Sequence, residues 1–218
     1  MLNPAKTAAI ILAGGTSSRM GEERNKLLLP LHNRPVVAHV LEAALGSHAR
    51  PIVLVLGHQA ATVWEKLQHT LEKNDILVVK NPDYRLGQST SMRAGLRGLH
   101  ALPDDYTKDV DAAIFLLGDQ PMLTSTMIDE LLALRERTGK RIVLPLYQGQ
   151  RGNPVIFSLE LAPELLAVTG DEGGRGVLKR HPDEIATLEM GEEAANFDVD
   201  TWEAYLAVQG AWQQRMLD

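Results

Sequence analysis

The chain of 218 residues contains no cysteine. Disulfides, thiolate nucleophiles and cysteine-ligated zinc are thereby excluded. It also lacks a long apolar run. Its hydrophobic stretches fall far short of the roughly 20 residues that a membrane-crossing helix needs. Positive charge is not in excess, since 22 Lys and Arg face 28 Asp and Glu for a net charge of −6. A broad basic face for nucleic acid is therefore not expected, and neither nucleic acid nor a membrane is an expected partner. Several catalytic signatures are missing as well. There is no G-x-x-x-x-G-K-[ST] and no G-x-G-x-x-G, so neither a P-loop nor a dinucleotide fingerprint is present. No G-x-S-x-G supports acyl chemistry. The seven histidines form no H-E-x-x-H, and His58 and His69 merely share an expected helix.

What is present is an ordinary globular mixture, 44% hydrophobic and 23% charged. The length suits one domain with a sizeable core. No repeat or low-complexity linker divides it, so residues 1–218 read as a single domain, expected in the cytoplasm. Met1 to Ile10 reads as part of the first strand and not as a secretion signal.

Buried apolar runs alternate with helical patterns. Ala8–Leu12, Ile52–Leu56, Ile76–Val79 and Ala112–Leu117 read as strands. Helices are expected over Pro35–Leu45, His58–Leu71, Ser89–Leu99 and from the Thr124 cap to Arg137. Pro35 suits a first helical position. Continuous apolar strands between helices predict a largely parallel sheet covered on both faces. After Gly139 the pattern changes. Arg141–Leu144 and Pro154–Phe157 read as strands around a Gln148-Gly149-Gln150 turn. A short helix, the glycine-rich stretch Gly170–Gly176, a strand at Ile185–Glu189 and a helix at Thr201–Val208 follow. This last third predicts a small antiparallel excursion.

Leu12-Ala13-Gly14-Gly15-Thr16-Ser17-Ser18-Arg19-Met20-Gly21 follows the first strand. Ligands of open α/β sheets sit beyond the carboxyl ends of strands. Paired glycines let a phosphate or base approach the backbone. Ser17 or Ser18 suits the cap of a following helix turned towards an anion. Arg19 offers a fork for phosphate oxygens. Lys26 adds a point charge, and Arg24 stands close enough to share that role. The bland alternative is a tight turn with a solvated arginine. Gly118-Asp119-Gln120-Pro121 puts a carboxylate just past a buried strand, facing the same crevice. Burying it requires a compensating cation, and magnesium is commonly held by one or two carboxylates plus phosphate oxygens. Asp119 therefore fits a metal anchor, with a helix cap or turn closure as the alternative. Gly87-Gln88-Ser89-Thr90-Ser91 opens a helix, either as an anion site or as a plain serine cap.

These segments, taken in order, resemble one family. Leu12-Ala13-Gly14-Gly15-x-Ser-x-Arg19-Met20-Gly21 followed by Lys26 is similar to the N-terminal signature of the molybdenum-cofactor guanylyl- and cytidylyltransferases. More broadly it resembles nucleotidyltransferases with a Rossmann-like NTP-binding half. The resemblance implies a three-layer α/β/α fold with an NTP-binding half of about 1–125 and an acceptor half of about 126–218. It implies nucleotide contacts for Leu12, Ala13, Gly14, Gly15, Arg19, Lys26, Ser89, Ser91 and Asp119, with Arg19, Lys26 and Asp119 catalytic. Asp200, in a segment similar to the family's closing Asp-Thr-x-Glu-Asp-Tyr, is implied to hold Mg²⁺ with Asp119. Asp198 is a lesser candidate, and an Asp here also suits a helix cap. Asn153, in Gly152-Asn153-Pro154-Val155, and Arg175, in Gly170–Gly176, resemble the acceptor side of the cytidylyl branch. The implied reaction transfers CMP from CTP to the phosphate of molybdopterin, releasing pyrophosphate. Leu-Ala-Gly-Gly is typical of the guanylyl branch, so GTP stands as the other nucleotide. A sugar or polyol phosphate is the alternative acceptor. A molybdopterin carrier is the non-enzymatic alternative. A client molybdoenzyme or its chaperone would be the protein partner.

Overall fold

The computed structural model describes residues 7–20, 25–68, 76–191 and 197–215. In chain order, β1 (Thr7–Ala13) leads to two short paired strands, β2 (Pro30–Leu31) and β3 (Arg34–Pro35), then α1 (Val36–Gly46) and β4 (Ile52–Leu56). Next come α2 (Ala60–Gln68), β5 (Ile76–Lys80), α3 (Gln88–His100), α4 (Asp104–Thr107), β6 (Ala112–Leu117) and α5 (Ser125–Thr138). The last third holds β7 (Ile142–Tyr147), β8 (Gln150–Arg151), β9 (Val155–Ser158), α6 (Ala162–Ala167), α7 (Arg175–Arg180), β10 (Ile185–Glu189) and α8 (Trp202–Arg215).

The main sheet has the order β10-β7-β9-β6-β1-β4-β5, with β8 paired to β7. β1 runs parallel to β4 and β6, β4 to β5, and β7 to β10, while β9 is antiparallel to both β6 and β7. Strand alternation sorts the core into two layers. Ala9, Ile11 and Ala13 pack with Ile52, Leu54 and Leu56 under α1, α2 and α5. Ala8, Ile10 and Leu12 pack with Val53, Val55 and Phe115 under α3, α6 and α7. Both faces of the central strands are therefore dry, which is why their sequences are continuous apolar runs. The mostly parallel α/β/α sandwich with its small antiparallel part is the architecture expected from the sequence.

Element ends differ in informative ways. Pro35 precedes α1 with an extended ψ of 144° and belongs to β3, so the helix starts one residue later than expected. α2 starts at Ala60 because Gln59 takes a left-handed φ of 52°. α8 continues to Arg215, well past Val208, and Trp212 there packs against His39 with ring centroids 4.3 Å apart. Thr124 caps α5 as expected, its hydroxyl accepting from the Met127 N–H at 3.2 Å. Among the described residues no helix is long and apolar enough to cross a membrane.

Candidate active site

The carboxyl ends of the parallel strands share one edge of the sheet. Because β9 is antiparallel, it is the start of this strand, next to Gly152-Asn153-Pro154, that reaches the same edge. The glycine loop, the Asp119 turn, the Asn153 segment and the start of α3 thus lie at this edge, and the Asp198–Asp200 segment, which precedes α8, is tied to it through the Asp119 turn.

The centre of the edge is a charge cluster. The Lys26 ammonium pairs with an Asp119 carboxylate oxygen and, at 2.5 Å, with Asp200 Oδ1. Arg19 pairs with the other oxygen of Asp200. Lys26 and Asp119 are enclosed, with side chains 12% and 16% exposed, whereas Arg19 is 71% exposed. Burial works to lower the Lys26 pKa, but attraction and hydrogen bonding to Asp119 and Asp200 outweigh it and hold the ammonium above its ordinary value. For Asp200, burial pushes up, yet Lys26 and Arg19 together bring the carboxyl below its ordinary value. Asp198 goes the other way: burial and then the Asp119 charge push it up to about 6.

Local structure explains how three chain segments converge. Ser17 takes a left-handed φ of 57°, and its hydroxyl accepts from the Lys26 N–H at 3.0 Å. It pins the lysine and caps no anion-facing helix. Asn25 caps the short turn Lys26–Leu28, accepting from the Leu27 N–H at 3.1 Å, and Leu27 anchors that turn in the core. The Gly118 N–H donates to the Leu12 carbonyl at 3.0 Å, which joins the ends of β1 and β6. The Val199 N–H donates to the Asp119 carbonyl at 3.0 Å, and Gln120 Nε2 donates to Asp198 Oδ1 at 2.7 Å. Asp198 and Asp200 are thereby tied to the Asp119 turn.

The competing structural roles fall away for both aspartates. α5 is capped by Thr124 and not by Asp119. At α8 the Thr201 hydroxyl accepts from the Ala204 N–H at 3.2 Å, leaving the Asp200 carboxylate to the cations. No group of three His, Cys, Asp or Glu side chains among the described residues is arranged to hold a metal. The donor set on offer is the carboxylate pair Asp119 and Asp200, held around one ammonium.

The glycine loop is built by close approach. A Cβ on Gly14 would lie 2.7 Å from Ser91 Oγ, and one on Gly57 would lie 2.6 Å from the Gly14 carbonyl. Gly15 is exposed and has open space above it. Leu12 and Ala13 are buried at the end of β1. Gly21–Arg24 lie outside the described residues, as does His69.

The start of α3 is closed by the Gly170–Gly176 stretch. The Gln88 N–H donates to Asp171 Oδ1 at 3.1 Å, and the Ser89 N–H to the Gly170 carbonyl at 3.1 Å. Gly87, with φ 103°, has room only for hydrogen, since a Cβ would meet the Gly170 carbonyl at 2.6 Å. The helix start is thus capped by Asp171 and the Gly170 carbonyl, neither open to an anion nor capped by serine. Ser89 is fully buried, its hydroxyl without a partner among the described residues. Arg175 is exposed at the start of α7, and its side chain has no ion pair among the described residues. Asn153 is half-buried, and its carbonyl accepts from the Tyr147 hydroxyl at 3.0 Å; burial pushes that phenol up to about 12. Neither Asn153 nor Arg175 joins the charge cluster.

Two groups escaped sequence reasoning. Asn81, just past β5, is a buried hydrogen-bond hub beside the glycine loop. Gln120 carries Asp198 while itself 1% exposed. The available signals were the place of Asn81 immediately after β5 and that of Gln120 immediately after Asp119.

Comparison with known proteins shows the family. The profile of the MobA-like NTP transferase domain matches residues 9–185. The chain is 31% identical over 202 residues to nicotine blue oxidoreductase of Paenarthrobacter nicotinovorans, covering 89% of this chain and 92% of that protein. It is 30% identical over 207 residues to purine catabolism protein PucB of Bacillus subtilis, covering 93% and 95%. The crystal structure of the Rv0371C complex with manganese from Mycobacterium tuberculosis H37Rv superposes with a TM-score of 0.73 at 23% identity, over 94% of this chain and 98% of that one. A glycine loop, a strand-end aspartate and a lysine at one edge of such a sheet, together with a profile match over most of the chain, mean that this protein belongs to the MobA-like NTP transferase domain family, whose chemistry is nucleotidyl transfer.

Proposed function

We propose that the protein transfers CMP from CTP to the phosphate of molybdopterin and releases pyrophosphate, in the cytoplasm, with Mg²⁺ held by Asp119 and Asp200. The observation that carries this reading is the pair of carboxylates gathered around Lys26 beside the glycine loop. Two carboxylate oxygens around one cation, with room in the coordination shell for phosphate, is a donor set that suits Mg²⁺. A protein of the same fold, Rv0371C of Mycobacterium tuberculosis, forms a complex with manganese, which is in keeping with a divalent ion as the cofactor. When bound, the ion would neutralise developing charge on the phosphates.

The chain's own residues do the rest. Leu12–Gly15 hold the nucleotide together with Ser91, whose oxygen stands against Gly14, while Ser89, fully buried, supports the start of α3 behind them. Lys26 and Arg19 bind and orient the triphosphate. Asn153 and Arg175 serve the acceptor. A phosphate monoester is already an anionic nucleophile, so no Ser-His-Asp machinery is needed. One acceptor phosphate oxygen attacks the α-phosphorus, the α–β phosphoanhydride bond breaks, and pyrophosphate carries away the electron pair. Positioning and charge neutralisation supply the acceleration.

Leu12-Ala13-Gly14-Gly15 favours a second reading, GTP in place of CTP. The deciding experiment is pyrophosphate release with each NTP and molybdopterin, with and without Mg²⁺. Release only with sugar or polyol phosphates would replace the acceptor. The name of the Paenarthrobacter relative describes an oxidoreductase; pyrophosphate release here would separate the two chemistries. A molybdopterin carrier needs no metal-holding aspartate. Asp119→Asn should therefore lower turnover about 10²–10³-fold with the fold intact, and near-normal turnover would overturn the metal assignment.

A further inference from the structure

Asn81 follows β5 directly and is 4% exposed. Its N–H donates to the Leu56 carbonyl at 2.7 Å, which fixes its backbone beside the end of β4. Its side chain meets three groups: the Asp83 N–H at 3.0 Å, Thr90 Oγ1 at 2.8 Å and Ser91 Oγ at 3.0 Å. The Asp83 N–H can only donate, so the amide oxygen must face it and the amide NH₂ must face the two hydroxyls. Both hydroxyls are thereby made to accept. Thr90 sends its own proton to the carbonyl of Gly87 at 2.8 Å or of Asp83 at 3.1 Å. Ser91 has no such outlet, since no acceptor for its proton lies within reach among the described residues. Its oxygen stands against the glycine loop, 2.7 Å from where a Cβ of Gly14 would be.

We propose that Asn81 is a positioning residue that fixes the polarity of Ser91, holding its hydroxyl as a donor to an acceptor oxygen or nitrogen of the nucleotide bound at Gly14–Gly15. This inference rests on the nucleotide reading of the glycine loop. Asn81 touches no substrate. It acts by donating to one lone pair of Ser91 from the inner side, so that the proton cannot turn inward.

The test exploits the sign of the hydrogen bond. Asn81→Asp keeps size and the acceptor for Asp83 but replaces the NH₂ donor with a second acceptor, towards which Ser91 turns its proton. The expected result, by titration of CTP and GTP with Mg²⁺, is an affinity loss of about tenfold, matched by Ser91→Ala. The double variant should bind as Ser91→Ala alone does, because the two changes remove one contact. A merely structural role would give losses that add. Should Asn81→Asp fail to fold, Asn81→Ala enters the same cycle. Additive losses, or unchanged affinity in a folded Asn81 variant, overturn the inference. Wild-type protein that binds neither nucleotide overturns the nucleotide reading first, and this inference with it.

Discussion

Lys26 and Asp119 lie 93 residues apart in the chain and form a largely enclosed ion pair, with side chains 12% and 16% exposed. The same ammonium also meets Asp200, 174 residues away. The lysine is thus a built-in counter-ion. Without it, two carboxylates would face one another with little water between them.

Lys26→Met should therefore destabilise the protein by about 3 kcal/mol, the usual cost of leaving a buried charge without its partner. Divalent cation should restore part of the loss, because it takes over the neutralising role. Thermal denaturation with and without MgCl₂ checks this. A variant as stable as wild type in chelator, or one indifferent to the metal, contradicts the picture.

The two candidate arginines should separate by substrate. Arg19 is engaged with Asp200, whereas Arg175, four residues past the Asp171 that caps α3, has no ion pair among the described residues. Arg19→Ala should weaken NTP binding, and Arg175→Ala should raise the acceptor KM about tenfold or more, the worth of a charge-assisted phosphate contact. Steady-state kinetics with each substrate varied in turn reads both. A loss in the NTP term for Arg175→Ala would assign Gly170–Gly176 to the nucleotide, and CTP would lose a support against GTP.

Asp198 should make stability depend on pH. Its carboxyl is pushed up to about 6, so the folded state holds the proton more tightly than the unfolded chain. The favourable contribution is complete below the unfolded value and disappears as pH rises through about 6. Asp198→Asn keeps an oxygen to accept from Gln120 and removes the charge. In chelator, it should raise Tm relative to wild type at pH 7.5 and bring the two together near pH 4. An equal difference at both pH values would show that the carboxyl does not titrate there.

The central strands and their order of appearance were legible because burial on both faces leaves a continuous apolar signature in Ala8–Leu12 and Ala112–Leu117. Asp119 was legible for a related reason, since a carboxylate directly after such a run needs a partner. The identity of that partner was not. No local pattern links Lys26 to residues 93 and 174 positions away, and Asp200 stood out only through resemblance. The closure of α3 by Asp171 was hidden for the same reason, because the cap comes from 83 residues downstream. The extra turns of α8 after Val208 escaped notice because Gln209, Gln213, Gln214 and Arg215 dilute the apolar pattern, leaving only Ala211 and Trp212 to pack inward, Trp212 against His39.

The reversed strand β9 divides the rim into parts that can change separately. β7, the Gln148-Gly149 turn, β8 and β9 form a continuous antiparallel path, and the turn is held from outside by the Glu189 carboxylate at 2.9 and 3.3 Å. Lengthening or reshaping that path alters the rim around Asn153 while the register of β1 with β6, and so the spacing of the glycine loop from Asp119, stays as it is. On the proposed reading, a new acceptor would be accommodated on one side of the site with no change to the residues on the other.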